Sequence, residues 1–432
     1  MRLRALGVAV VLGVVGVVVP LASVVAADTA ADERPCRNTT IAGDVEEQRL
    51  TRTLGSNPVP VPARIVDSAG YRELIGDFER SLCRTHSLDH AKIVIDRHGE
   101  KLWRTTVSRA RAGQGDDRPL YWARVNMTLA LRQWRPRFGL SDTARAALRR
   151  DFERASRGIT TSSFTPAPGT RTVFVSGFDP FTLDSEIRRG NPSGAAVLRL
   201  DGARFTLDGQ RYEIQTVVFP VRYGDFDEGI VEGAFRPHLV DGRQQADWIT
   251  TISQGRPDAF DLEIHNGRRR SISSIGDNLN VWGGGSPTAP VVAPGIGPGP
   301  EFVPTSLPTA AMLAATGKPY LVRENPSVTE IPAGQTQPVT RPDGPTPGSI
   351  AVSGSGGGYL SNEVAYRTSL LRVTLGANIP GGHVHTPVLT FDPANTTEIT
   401  DPSFERQRTG IAAQTELILR AGLGSALGSA RP

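Results

Sequence analysis

Three short stretches carry side chains whose types and spacing could do acyl-transfer chemistry. The first, Gly354-Ser-Gly-Gly-Gly-Tyr-Leu-Ser361-Asn-Glu363, is a glycine turn that ends on a serine at the start of a helical pattern. Main-chain N–H groups at such a turn can hold a developing oxyanion, and the positive end of a helix favours negative charge there. Ser361 reads as a nucleophile on that ground, and equally as a helix cap, since serine is a preferred capping residue. The second, Gly381-Gly-His383-Val-His385-Thr-Pro387, puts two imidazoles on one face of a strand by simple alternation. One of them could be the general base for a hydroxyl. They could also be a metal pair, but no carboxylate or third histidine stands close in sequence to complete a site. The third, Ser176-Gly-Phe178-Asp-Pro-Phe181 followed by Asn191-Pro-Ser193, closes a short strand with two aromatic rings three residues apart. They read as two walls of a pocket or as ordinary core.

Bringing these stretches together requires an α/β sheet. Thr172–Ser176, Glu213–Phe219, Ala259–Ile264, Ser349–Ser353 and His383–Leu389 read as strands. Helices are expected from Asn191-Pro192, over Asp247–Ser253, over Asn362–Leu371 and over Ser403–Ala421. This alternation predicts an open, twisted, mixed sheet with helices on both faces, over residues 166–425, with ligands at the carboxyl ends of strands. Gly283–Pro308 and Asn325–Pro347 are rich in Gly and Pro and read as surface-loop insertions. Residues 28–165 read as a small helical domain. Its signals are the spacing of Tyr71, Leu74, Ile75, Phe78 and Leu82, the amphipathic stretch Leu120–Trp134, and a helix over Arg145–Arg157 capped by Ser141 and stopped at Gly158. The Ser/Thr/Pro/Gly connector from Thr160 to Thr170 marks the boundary. His86, His90 and His98 read as surface or core histidines.

Taken in order, these segments resemble pyroglutamyl peptidase I, the cysteine peptidase family that removes N-terminal pyroglutamate. Gly177-Phe-Asp-Pro-Phe181 with Asn191-Pro-Ser193 is similar to its first signature. Pro257-Asp258 through Arg269, Ile272 and Asn280 is similar to its central strand and loop, and Thr305-Ser-Leu-Pro308 to its Ser-Thr-Leu-Pro segment. Gly358-Tyr-Leu-Ser361-Asn-Glu-Val-Ala-Tyr366 is similar to its nucleophile turn, and Gly382-His-Val-His385-Thr-Pro387 to its histidine strand. The resemblance covers roughly Thr172 to Leu419, outside the insertions. It implies His385 as the catalytic histidine and Ser361 where the family has cysteine. Phe178 and Phe181 would hold the pyroglutamyl ring, with Asn191, His265 and Arg269 beside them. Ile275 falls on the family's glutamate and cannot orient an imidazole; Asp277, two residues on, is the expected replacement acid, with Glu363 as a second candidate.

A serine hydroxyl is a far weaker acid than a thiol, so it depends more on a well-oriented histidine. In an oxidising compartment serine also escapes the oxidation a low-pKa thiolate would suffer. Such a compartment is expected from the N-terminus. Met1-Arg-Leu-Arg4 is a basic head, Ala5–Ala27 an uncharged run, and Val25-Ala26-Ala27 a small-residue cleavage site; the run is also long enough to span a bilayer, so an uncleaved anchor is the alternative. The two cysteines, Cys36 and Cys83, are expected to pair as a disulfide.

Composition restricts the alternatives. The 432 residues hold 46 Gly, 33 Pro and 6% aromatics, with a formal net charge of +4. Sustained heptads are absent and there is one long apolar run, which excludes a coiled coil and a polytopic membrane protein. All but three of the basic residues are Arg, interleaved with acids as in Arg149-Arg-Asp-Phe-Glu-Arg154, the pattern of a solvated helix face rather than a nucleic-acid patch. The expected protein is therefore a secreted serine hydrolase acting on peptides blocked by pyroglutamate or a related cyclic amide. It needs no cofactor or metal, has no nucleic-acid partner, and keeps no membrane insertion once the signal is removed. The competing expectation is an inactive version of the fold that binds peptide ends or serves an envelope scaffold.

Overall fold

Residues 35–165 and 167–426 are described by a computed structural model. The apolar run Ala5–Ala27 and its cleavage site lie outside the described residues. Six helices come first: α1 (Val45–Gln48), α2 (Val61–Ser68), α3 (Arg72–Cys83), α4 (Leu88–Arg111), α5 (Arg118–Gln133) and α6 (Asp142–Ala155). Their starts follow from short polar side chains. Ser87 Oγ accepts the His90 N–H and Ser141 Oγ accepts the Ala144 N–H, each satisfying an amide of the first turn that has no helical partner. Tyr71, Phe78 and Leu82 are buried, and Cys36 is bonded to Cys83 with a Cα–Cα distance of 5.5 Å. At Gly158 the chain turns with φ at 81°, and a Cβ there would collide with the Trp103 ring, so the stop after α6 requires glycine.

The α/β part follows, in the order β1 (Thr170–Phe178), α7 (Pro192–Leu200), β2 (Arg204–Leu207), β3 (Gln210–Phe219), α8 (Tyr223–Asp227), α9 (Ile230–Phe235), β4 (Trp248–Gln254) and β5 (Ala259–Glu263). Short strands β6 (His265–Gly267), β7 (Arg269–Arg270), β8 (Val291–Val292) and β9 (Phe302–Pro304) precede α10 (Thr309–Met312) and β10 (Leu321–Asn325). The chain continues through β11 (Val328–Ile331), β12 (Val339–Arg341), β13 (Ile350–Ser353), α11 (Leu360–Thr374), β14 (Gly381–Thr386) and α12 (Pro402–Ala426). Seven strands form one mixed sheet in the order β10-β5-β14-β4-β1-β3-β2. β3, β1, β4 and β14 are parallel, whereas β5 and β10 run against them. The expected open α/β sheet is thus present, with three local differences, the first being that the strand expected over Ser349–Ser353 forms, as β13, outside the seven-stranded sheet. Asp247–Ser253, expected as a helix, is the central strand β4. Its Trp-Ile-Thr-Thr-Ile run is bulky and β-branched, and it is buried on both faces, so no alternation reveals it. The two Gly/Pro-rich insertions are not bare loops either. They supply β8, β9, β11 and β12, and β11 pairs with both β12 and β13 in a separate three-stranded sheet.

Among the described residues, those from Cys36 onward form a single compact unit, and the helical part is bonded to the sheet through buried charge. Asp179, directly after β1 and 2% exposed, accepts Arg124 Nη1 of α5 at 2.9 Å and Arg157 Nη1 at 2.6 Å. Arg157 also holds Glu153, which binds Arg222, which binds Glu46. Burial pushes the Glu46 carboxyl up, and Tyr121 Oη and Asn278 Nδ2 donate to it. Removing one partner from such a pair strands the other charges. Asp179→Ala is expected to lower the unfolding free energy by about 3–5 kcal/mol in denaturant titration; a loss below about 1 kcal/mol would show that the network is relaxed by solvent.

Candidate active site

Gly354–Gly358 joins β13 to α11 and is shaped by close backbone packing. A Cβ on Gly354 would lie 2.4 Å from the Gly267 amide nitrogen, so the turn lies directly against β6. Asn362 in the first turn of α11 locks this contact, accepting the Gly267 N–H at 2.8 Å and donating to Gly267 O at 2.7 Å. Ser361 is therefore placed firmly at the mouth of the turn. It does not cap the helix: the capping position is Tyr359, whose side chain makes no cap bond, and Ser361 Oγ donates to Gly356 O at 3.1 Å. The N–H groups of Leu360, Ser361 and Asn362, in the first turn of α11, have no acceptor within the helix.

The polar row on one face of β4, β14 and β5 explains the two histidines differently. β14 pairs His383 with Thr251 and Glu263, and His385 with Ser253 and Asp261. His383 is fully buried; Thr251 Oγ1 lies 2.7 Å from its Nδ1 and Ser253 Oγ 2.8 Å from its Nε2. Burial, with His385 beside it, pushes its pKa well down and keeps it neutral. His385 instead bonds through Nδ1 to Glu263 Oε1 at 2.6 Å, a diagonal cross-strand pair within reach of a long side chain. Gly255 and Gly356 close on the ring from two sides. A Cβ on Gly255 would come within 2.6 Å of His385 Cβ, and one on Gly356 within 3.2 Å of Cε1. His385 lines a cleft of about 370 Å³ that Ser361 also lines.

The carboxylate that orients His385 is thus Glu263, which neither local spacing nor the resemblance singled out. Its signal in the sequence was Asp261-Leu-Glu263, two acids on one face of a strand otherwise too apolar to face solvent. The expected replacement acid, Asp277, is engaged elsewhere: its carboxylate accepts the N–H groups of Tyr223, Leu279 and Val281 and shapes that turn. Glu363, the second candidate, is bound by Arg270 at 2.5 Å and Arg367 at 2.8 Å.

On the other side of Ser361 lies an apolar slot of about 90 Å³, lined by Phe178, Phe181, Val221, Tyr359 and Leu360 with Asn191, Ser253 and Gln254. The Phe181 and Tyr359 ring centroids are 6.3 Å apart, with 29° between their planes. Asn191 contributes surface only, because its side-chain groups are engaged. Its Oδ1 accepts from Ser193, capping α7, and its Nδ2 donates to Asp179 O at 2.9 Å. His265 and Arg269 line neither the slot nor the cleft. The His265 ring packs against Gly344 and Arg269 is paired with Glu301 at 2.8 Å. The first expectation failed because the insertion brings Gly344 over the ring, the second because Glu301, also from an insertion, captures the guanidinium. The helical part secures the slot loop. Arg49 binds Asp184 at 2.6 Å and Asn278 O at 2.5 Å. Asp117 accepts the Asn191 N–H at 2.7 Å, and burial with Asp116 nearby pushes its carboxyl well up.

Two family models match the chain, the PA0049 N-terminal domain over residues 26–153 and the PA0049 C-terminal domain over residues 172–294 and 318–390. The uncharacterized protein PA0049 of Pseudomonas aeruginosa is 33% identical over 493 aligned residues, covering 88% of this chain and 89% of that protein. Among solved structures, the chain is similar to pyroglutamyl peptidase I from Bacillus amyloliquefaciens at 20% identity and a TM-score of 0.40, with 59% of this chain and 95% of that one covered. It is also similar to a mutant pyrrolidone carboxyl peptidase from Pyrococcus furiosus at 18% identity and a TM-score of 0.39, with 59% and 99% covered. Matched along both its helical and its sheet part, the chain belongs to the PA0049 family.

Proposed function

We propose that this protein is a secreted serine hydrolase that removes an N-terminal pyroglutamyl or related cyclic amide group from peptides. The observation that carries the reading is the His385–Glu263 pair in one cleft with Ser361, next to a slot walled by Phe178, Phe181 and Tyr359. The lactam ring enters the slot and its exocyclic carbonyl meets Ser361. Ser361 Oγ turns from Gly356 O, attacks that carbonyl, and passes its proton to His385 Nε2. Glu263 fixes the tautomer through Nδ1 and stabilises the imidazolium. The first-turn N–H groups of α11 hold the oxyanion. His385 then gives the proton to the departing amine, and the C–N bond breaks. Water, deprotonated by the same imidazole, releases pyroglutamate and restores the serine.

A second reading, a peptide-binding scaffold without turnover, is favoured by one observation: Ser361 Oγ is bonded to Gly356 O rather than to an imidazole nitrogen. Catalytic hydrogen bonds are often unformed before substrate binds, which weakens that objection. The two readings separate on the protein lacking its first 27 residues, treated with a serine-directed phosphonate and assayed with a pyroglutamyl fluorogenic amide. Hydrolysis, with the phosphonate mapped to Ser361, is expected. Binding of the amide with neither hydrolysis nor labelling would establish the scaffold reading. Secretion is checked by finding mature protein outside the cytoplasm beginning at Asp28.

A further inference from the structure

The cleft beyond Ser361 is where the departing part of the substrate must lie if the proposed reaction is right, and its charge is unevenly displayed. Asp261, on its wall, is 1% exposed and is bound by two arginines, Arg256 at 3.0 Å and Arg323 at 2.5 Å. Glu263 is equally buried and is engaged by His385. The cations are open: the Arg256 side chain is 58% exposed and that of Arg323 49%. Each guanidinium has five N–H donors, and among the described residues Asp261 is the hydrogen-bond acceptor of both. Arg256 lines the cleft and offers its spare donors there while both carboxylates are covered; Arg323 shares Asp261 from outside that lining. Asp261 serves as an anchor, holding two long flexible side chains in a fixed place so that less freedom is lost when a ligand binds.

We infer that this cleft holds a carboxylate subsite built on Arg256, which Asp261 fixes in place together with its neighbour Arg323, so that substrates releasing an acidic amine are preferred. The acid can be the free α-carboxylate of a pyroglutamyl amino acid or the side chain of an acidic first residue. The inference rests on the proposed hydrolysis and adds its substrate class.

Three substrates separate the possibilities: pyroglutamyl-alanine, pyroglutamyl-alanine amide, and pyroglutamyl-glutamate α-amide. The free acid is expected to have a kcat/KM at least about tenfold above the amide, chiefly through KM, the scale of one charge-assisted hydrogen bond. In Arg256→Gln/Arg323→Gln the ratio of acid to amide should fall close to one. A glutamate α-amide as good as the free acid would assign the subsite to side chains, and one as poor as the alanine amide would assign it to chain ends. Equal kcat/KM for all three in the parent protein overturns the subsite and leaves the hydrolase reading standing. No turnover of any of them overturns both. Should the double variant fail to fold, product inhibition of the parent decides: alanine should inhibit more strongly than alanine amide, and equal inhibition refutes the subsite.

Discussion

Replacing Ser361 by alanine is expected to remove hydrolysis of a pyroglutamyl amide by on the order of 10⁶ in kcat, the scale seen when the nucleophile of a serine triad is deleted. The fold should be indifferent to the change. Ser361 Oγ makes one bond, to Gly356 O, in a part-buried place, and alanine is a good residue inside a helix. The two quantities are measured together, as single-turnover rate and melting temperature. A variant that retains turnover would take serine out of the chemistry, whereas a variant that loses both rate and melting temperature would have to be set against Ser361→Thr.

Glu263→Gln should follow, with a loss on the order of 10⁴ in kcat and little change in KM. The glutamine amide can place a donor where the carboxylate accepted, which holds His385 in the tautomer whose Nε2 carries the proton and cannot receive one from Ser361. The comparison that decides the assignment is Asp277→Asn. Asp277 accepts two main-chain N–H groups of its own turn and that of Tyr223 at the start of α8, so its replacement should lower stability and reduce kcat far less than Glu263→Gln does. The reverse ranking would restore Asp277 as the acid and leave Glu263 as a packing group.

This pair of carboxylates shows what the sequence could and could not disclose. Ser361, His385 and the two phenylalanines stand in short, ordered motifs, and α11, β14 and the slot loop position them locally. Asp277 drew attention because it lies close in sequence to Ile275. Glu263 was hidden because its partnership depends on β5 running against β14, a topological fact that no local pattern carries. Buried carboxylates need partners, so Asp261 and Glu263 alternating in a strand of Ala, Phe and Leu were a sign that two cations or imidazoles had to face that strand. The helix expected over Asp247–Ser253 failed for a related reason. A strand covered on both sides has no polar face to reveal its period. His265 and Arg269 were placed by resemblance alone, and the insertions, which the family motifs do not contain, redirect both: the main chain at Gly344 packs on the His265 ring and the Glu301 carboxylate binds Arg269.

The bond between Asp179 and the arginines of the helical part has a bearing on how this chain could have arisen. A loop held by charges from another segment cannot be lent to a new protein without lending the segment as well. Arg49 and Asn278 touch although 229 residues separate them, so the beginning of the chain and its middle must change in step. The sheet half is in that sense not a portable module, and its inheritance is tied to the helices that precede it.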